Sequence, residues 1–201
     1  MRKIHLLIMA AAAISMAAHA VLAASPETAW SLLPQPVVMH PAAHGAVTVS
    51  EGDRVLVQAD GDAQALAIVQ RFAALVATTR GLHLRVETQA DKPSSGAIVF
   101  RLDPHAEIAN DAGYRIAIGD GKIEVTARTA RGLFYGGVTV WQLLTPDATR
   151  NAAARVADGS IIDHPRFAWR GLMLDSARHF QSVADIKKLI GWMSLHKLNV
   201  L

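Results

Sequence analysis

The order of elements at the end of the chain restricts the fold more than any other feature of the sequence. Residues 170–175 are mostly apolar and end in a carboxylate, which predicts a short strand followed by a polar loop. Ser182 and Asp185 have the spacing of a helix capping box, and residues 199–201 begin a second strand. The helix between them is expected to bury one face, formed by Val183, Ile186, Leu189, Ile190 and Met193. This order is typical of a βα unit of the kind that builds parallel sheets, and eight such units form a (β/α)8 TIM barrel, a fold of about 250 residues of which this would be the start.

Residues 34–144 predict a separate α+β domain, a small sheet covered by two helices. Apolar residues alternate at 114–118 and 123–126 on either side of a Gly-Asp-Gly turn, which is the clearest hairpin in the chain. Asp62 can cap a helix whose apolar residues recur at helical spacing, and Gly81 is well placed to end it.

Further strands are expected on both sides of that first helix. The β-branched runs at 47–49 and 55–57 flank a Glu-Gly-Asp turn, which suits a second hairpin. Residues 82–87 and 98–102 also have the composition of strands. The polar, alanine-rich stretch at 145–159 indicates a linker or surface connection between the two domains.

A second helix is predicted over residues 132–144, and its first turns are rich in glycine. The glycines have neither the G-x-G-x-x-G spacing of a dinucleotide site nor the lysine of a P-loop. Close packing of the helix against its neighbours is therefore the better explanation for them.

Composition excludes several classes of function. The chain has no cysteine, so thiolate catalysis and cysteine-ligated metal are excluded, and core burial must stabilise the fold without disulfides. The nine histidines show no metal-binding spacing such as H-E-x-x-H, and we expect no metal and no cofactor. The net charge is only +3, and Arg2 and Lys3 supply two of these positive charges. Nucleic acid is therefore not an expected partner.

Residues 1–24 are typical of a signal peptide. Arg2 and Lys3 precede an apolar stretch, and cleavage is expected after Ala23 or Ala24. The apolar stretch is broken by Ser15 and His19 and is shorter than the roughly 20 residues that span a bilayer. We expect a periplasmic or secreted protein with no membrane attachment after cleavage.

Asp175 and Arg178 are the main candidate ligand-binding residues, because a barrel places its site at the carboxyl ends of its strands. A guanidinium is a rigid fork of donors that suits sugar hydroxyls, and Asp175 could orient it or accept from a hydroxyl itself. A salt bridge that only pins the loop explains the same spacing equally well. His179 is a weaker candidate, since a histidine beside an aromatic residue in a loop is usually packed or solvated.

The stretch Pro165-Arg-Phe-Ala-Trp-Arg-Gly-Leu-Met-Leu-Asp-Ser-Ala-Arg-His-Phe180, with His196-Lys-Leu-Asn-Val200, resembles family 20 glycoside hydrolases, the β-N-acetylhexosaminidases. Residues 113–118 and 130–144 resemble the accessory domain of that family. The resemblance implies an accessory domain over residues 25–160. It also implies the first strand, loop and helix of the catalytic barrel, with the start of its second strand, over residues 161–201.

The resemblance implies that terminal N-acetylglucosamine or N-acetylgalactosamine is removed from the non-reducing end of oligosaccharides or glycoconjugates. In this family the 2-acetamido oxygen of the substrate attacks the anomeric carbon, and Arg178 matches the arginine that binds sugar hydroxyls. The expected Asp-Glu catalytic pair would lie beyond Leu201, so these 201 residues are expected to be an inactive, truncated fragment. Two alternatives stay open: a stand-alone glycan- or protein-binding module, and another retaining glycosidase with a similar accessory domain.

Overall fold

A computed structural model describes residues 30–88, 97–147 and 149–201. The predicted signal peptide at residues 1–24 lies outside the described residues. In the described ranges, no helix has both the length and the apolar character needed to cross a membrane.

The described residues form ten helices and strands. The strands are β1 (Val38–Val49), β2 (Arg54–Gln58), β3 (Arg85–Thr88), β4 (Ala97–Leu102), β5 (Tyr114–Gly119), β6 (Lys122–Ala127) and β7 (Ala154–Asp163). The helices are α1 (Ala63–Arg80), α2 (Ala130–Leu144) and α3 (Val183–Leu195). All seven strands belong to one mixed sheet in the order β1-β7-β5-β6-β4-β2-β3, and α1 and α2 cover it. The predicted α+β domain is therefore confirmed.

Local sequence determines where the first helix begins and ends. The side chain of Asp62 accepts a hydrogen bond from the Ala65 amide and caps the start of α1. Gly81 ends the helix in the left-handed conformation, at φ 77°, which glycine adopts at little cost. Both predicted ends of α1 are confirmed, as is the hairpin formed by β5 and β6.

The glycines of α2 let the helix lie very close to the sheet. A Cβ atom added to Gly132 would lie 2.3 Å from the Gly113 carbonyl oxygen, and one added to Gly136 would lie 2.4 Å from a Val125 methyl carbon. These positions leave no room for a side chain, which confirms the close-packing explanation of the glycine-rich segment.

Two predictions about strands were wrong. β1 and β2 do not form a hairpin, because β1 pairs with β7 at one edge and β2 lies between β4 and β3. The predicted linker at 145–159 also contains the first half of β7, which pairs with β1 and β5. The Asp-Gly-Ser sequence at the centre of β7 interrupts the alternation of apolar and polar residues that is typical of a strand. The hydrogen bonds to two neighbouring strands outweigh the low strand propensity of these residues.

The end of the chain forms the predicted βα unit. Ser182 caps α3, with its hydroxyl 2.6 Å from Asp185 Oδ2 and 3.1 Å from the Asp185 amide. The two predicted strands are reduced to one parallel bridge between Gly171 and Val200.

The predicted buried face of α3 is only partly buried. Met193 is buried and Ile186 and Leu189 are half-buried, but Val183 and Ile190 are exposed. The amphipathic pattern is present, yet no described element packs over that part of the helix.

Candidate functional site

Asp175 organises the loop that follows the first barrel strand. Its Oδ1 atom accepts hydrogen bonds from the backbone amides of Ala177 and Arg178, both at 3.1 Å. Its Oδ2 atom lies 3.2 Å from Arg178 Nε. Both carboxylate oxygens therefore hold the loop and the guanidinium, which favours an orienting role for Asp175 over a direct contact with a ligand.

Arg178 presents the rest of its guanidinium to solvent. Its side chain is 84% exposed. Among the described residues, none accepts a hydrogen bond from its two terminal nitrogens. A surface ion pair of this kind adds little stability, so the pairing with Asp175 mainly restricts the direction of the guanidinium. The arrangement can donate several hydrogen bonds to a neutral, oxygen-rich ligand.

His179 and Phe180 continue the same loop and are both exposed. In the described parts of the chain, the His179 ring has no hydrogen-bond partner. The structure therefore brings Asp175 and Arg178 together and leaves His179 as a solvated neighbour.

A buried polar cluster, which the sequence did not reveal, joins the barrel unit to the accessory domain. Lys197 follows α3, and its Nζ atom lies 3.0 Å from Asp163 Oδ2 and 2.6 Å from the Tyr114 hydroxyl. Tyr114 donates to Asp163 at 2.5 Å, and the Thr139 hydroxyl lies 2.6 Å from the same phenol oxygen. The carboxylate also accepts from the Val37 amide at 3.3 Å. We refer to Tyr114, Asp163 and Lys197 as the junction cluster.

Burial perturbs the titration of the junction cluster. Removal from water raises the pKa of Tyr114 well above its ordinary value, and the neighbouring Asp163 charge raises it further. Burial also lowers the pKa of the Lys197 amine, although the attraction of Asp163 opposes this effect. The nearby Arg170 charge adds to the lowering.

Arg170 makes a second contact between the two domains. Its guanidinium donates to the Tyr135 hydroxyl at 2.9 Å and lies 5.3 Å from the centre of the Tyr135 ring. It also donates to the Lys197 and Phe167 carbonyl oxygens, at 2.8 and 2.7 Å. Arg170 therefore links the first barrel strand both to helix α2 and to the backbone of the junction cluster.

No local pattern could have identified the junction cluster, because Lys197 is 83 residues from Tyr114 and 34 from Asp163 in the sequence. The available hints were that Asp163 follows two isoleucines just before His164 and Pro165, and that Lys197 belongs to the His-Lys-Leu-Asn motif. In the described ranges, no group of three or more metal-ligating side chains is present.

Comparison with known families agrees with this architecture. The model described as glycosyl hydrolase family 20, domain 2, matches residues 29–164, and that of the family 20 catalytic domain matches residues 167–201. The chain belongs to glycosyl hydrolase family 20. The accessory domain of this family is thus followed here by the start of its catalytic domain.

Family 20 relatives are similar over most of the chain. A β-N-acetylhexosaminidase from Cellulomonas fimi is 33% identical over 85% of the chain and 33% of its own length. A β-hexosaminidase from Porphyromonas gingivalis is 32% identical over 66% of the chain and 17% of its own length. The chain therefore spans a third or less of the length of these two relatives.

Solved structures of family 20 enzymes share the fold. The Streptomyces plicatus N-acetyl-β-hexosaminidase in complex with Thio-NAglucal superposes with a TM-score of 0.72 at 32% identity, over 84% of this chain and 33% of that chain. A β-N-acetylhexosaminidase from Streptomyces coelicolor gives a TM-score of 0.72 at 33% identity, with the same coverage.

Proposed function

We propose that this family 20 chain supplies the accessory domain and the first barrel unit of an exported β-N-acetylhexosaminidase. The substrates would be oligosaccharides or glycoconjugates with a terminal, non-reducing N-acetylglucosamine or N-acetylgalactosamine. The exposed donor edge of Arg178, at the carboxyl end of the first barrel strand, is the observation that carries this proposal. The names of the relatives support the choice of an N-acetylated sugar.

In the proposed reaction, the acetamido oxygen of the substrate attacks its own anomeric carbon, and the enzyme supplies no nucleophile. This route is an exception to the two-carboxylate scheme of most retaining glycosidases. A glutamic acid protonates the departing glycosidic oxygen, and the aspartate before it orients the acetamido group. Neither of these two roles is assigned to a residue of this chain.

Arg178 would bind the hydroxyls of the terminal sugar. Its Nε is engaged by Asp175, so the terminal nitrogens are the donors left for the ligand. A guanidinium held from one side loses less conformational freedom when the sugar binds. Contacts to the outer hydroxyls of the last sugar would favour cleavage at chain ends.

Replacement of Arg178 by alanine in the full-length protein tests this assignment. We expect kcat/KM on p-nitrophenyl N-acetyl-β-glucosaminide to fall about 10- to 100-fold, because hydrogen bonds from a charged donor are lost. Arg178→Lys should recover only part of the loss, since an ammonium group lacks the planar fork. Arg155→Ala is a matched control, because Arg155 is an exposed arginine on the accessory sheet.

Equal activity of wild type and Arg178→Ala would contradict the assignment.

A second measurement tests the reaction type. The corresponding β-glucoside, which lacks the acetamido group, should be hydrolysed very slowly if the acetamido group of the substrate acts as the nucleophile. N-terminal sequencing of the exported protein tests the proposed cleavage after Ala23 or Ala24.

A further inference from the structure

The junction cluster lies between the accessory domain and the segment that supports the first barrel strand. We propose that Lys197 is a positioning residue: Asp163 and Tyr114 hold its ammonium group, and this contact sets the place of Asp175 and Arg178. The catalytic consequence rests on the function proposed above, whereas the structural consequence can be measured without it.

The anchor is specific in its geometry. The Lys197 side chain reaches into the accessory domain, where the residue is only 7% exposed. Its ammonium group lies 4.9 Å from the centre of the Tyr114 ring, in addition to its contacts with the phenol oxygen and Asp163. The backbone adopts φ 58°, a left-handed conformation that is uncommon outside glycine and costs free energy. The surrounding contacts therefore have to maintain this conformation.

The backbone after Lys197 carries the first barrel strand. The Lys197 carbonyl accepts from Arg170 Nε at 2.8 Å, and Asn199 Oδ1 accepts from the Arg170 amide at 2.8 Å. The Arg170 carbonyl in turn accepts from the Asn199 amide at 2.8 Å, and the Leu172 amide donates to the Val200 carbonyl at 3.1 Å. A shift of Lys197 would therefore be transmitted directly to residues 170–172.

The candidate sugar-binding loop depends on that strand for its position. Asp175 follows Leu172 by three residues, and Arg178 is held only by Asp175 and by its own backbone in the described residues. Among the described residues, no hydrogen bond or ion pair joins either side chain to the accessory domain. Their location relative to that domain therefore depends on the strand, which Lys197 and Arg170 connect to the accessory domain.

Stability alone does not explain the junction cluster well. Buried ion pairs often contribute little net stability, because desolvation offsets the attraction between the charges. The lowered pKa of Lys197 agrees with this, since it means that burial disfavours the charged amine. A charged, hydrogen-bonded contact does, however, allow fewer relative positions of the two domains than an apolar contact would.

The catalytic test is a double-mutant cycle in the full-length enzyme, with kcat/KM expressed per folded molecule. Lys197→Met should lower kcat/KM about 10- to 100-fold when Arg178 is present, because a displacement of about 1 Å has effects of this size. In an Arg178→Ala background the same change should have little further effect, since the displaced group is already absent. Independent, multiplicative effects of the two substitutions would overturn the proposal.

Arg80→Met is the matched control for loss of a buried cation. Arg80 is 5% exposed and its guanidinium lies 2.7 Å from Asp147, but its partners among the described residues belong to the accessory domain and its connecting loop. We expect a lower Tm for this variant and an unchanged kcat/KM per folded molecule. An equal loss of kcat/KM in Arg80→Met would assign the Lys197 effect to stability alone.

Hydrogen exchange supplies a measurement that does not require activity. In Lys197→Met, the amides of Leu172, Ala177 and Arg178 should exchange at least about tenfold faster, while those in the middle of helix α1 should not change. Unchanged exchange at these three amides would overturn the positioning role even if the hexosaminidase assignment is correct. Inactivity of the wild type would instead contradict the proposed function and leave the exchange result decisive for Lys197.

Lys197→Met would leave Asp163 as a buried charge without its cation, and this variant could fail to fold. A second variant keeps the proposal testable in that case. Lys197→Met combined with Asp163→Asn removes both charges and keeps an oxygen acceptor for the Val37 amide. This double variant should fold, show the faster exchange and lose activity. Failure of both variants to fold would show that the cluster is required for folding, and would overturn a separate positioning role.

Discussion

At the scale of single residues, the Tyr114 hydroxyl bonds to one residue on each side of the domain junction. Tyr114 is 1% exposed, donates to Asp163 and accepts from Lys197. It begins a strand of the accessory sheet and also closes the junction cluster. Removing its hydroxyl would therefore leave two charged groups with one partner fewer, without opening a large cavity.

We predict that Tyr114→Phe lowers the free energy of unfolding by about 1–3 kcal/mol at neutral pH, the usual cost of leaving buried polar groups unsatisfied. Urea denaturation of the two proteins measures this difference. A variant as stable as the wild type would show that the phenol hydrogen bonds contribute nothing net.

The same substitution should have an effect that depends on pH. Burial keeps the pKa of Tyr114 above its ordinary value of 10.0, so the unfolded chain loses this proton first as the pH rises. The stabilisation from the phenol is complete below pH 10 and declines above it, towards the folded pKa. The difference in unfolding free energy between wild type and Tyr114→Phe should therefore stay constant up to about pH 10 and narrow as the pH rises further, and a constant difference above pH 10 would contradict this titration.

At the scale of elements, the contrast between two glycines shows what decides helix packing. Gly136 in α2 lies against the Val125 side chain, whereas a Cβ atom at Gly191 in α3 would meet nothing within 4 Å. Both residues lie within helices, where alanine is favoured over glycine by up to about 1 kcal/mol. Only the surroundings distinguish them.

We predict that Gly136→Ala destabilises the protein by about 1–3 kcal/mol, because the added methyl group would overlap Val125 and force the helix away from the sheet. Gly191→Ala is the control and should leave stability unchanged or raise it by up to about 1 kcal/mol. Thermal denaturation of the two variants compares them directly. Equal effects would mean that the close approach of α2 to the sheet is not a constraint.

At the scale of the whole molecule, the two domains differ in how fully they bury their apolar side chains. The accessory sheet has a continuous core beneath α1 and α2. The barrel unit instead exposes many large apolar side chains, and Met173 is 96% exposed. The large apolar residues exposed from residue 167 onwards are Phe167, Trp169, Leu172, Met173, Phe180, Val183, Ile190, Trp192 and Leu201.

We predict that the 201-residue chain, prepared alone, binds the dye ANS and self-associates at micromolar concentration, because exposed apolar area of this extent favours association. Replacing Met173, Phe180 and Trp192 together by glutamine should reduce both effects. Light scattering and dye fluorescence measure them. A monomeric chain that does not bind the dye would contradict the exposure seen in the barrel unit.

Elements whose causes are local could be predicted from the sequence. Asp62 and Gly81 bound α1 through caps that involve neighbouring residues, and the Gly-Asp-Gly turn defines the β5–β6 hairpin. The pairing of Asp175 with Arg178 follows in the same way from a separation of three residues. The family resemblance of the barrel segment could also be recognised from the sequence, because its motif is a continuous string of residues.

Three features depend on tertiary contacts: the pairing of β1 with β7, the strand within the expected linker, and the junction cluster. β7 has a weak strand preference and forms because strands on both sides accept and donate its backbone hydrogen bonds. Tyr114, Asp163 and Lys197 are distant in the sequence and meet only when the sheet and the barrel unit pack together. The physical reason is the same in both cases: local propensity acts over a few residues, whereas strand pairing and buried charge depend on groups that folding alone brings into contact.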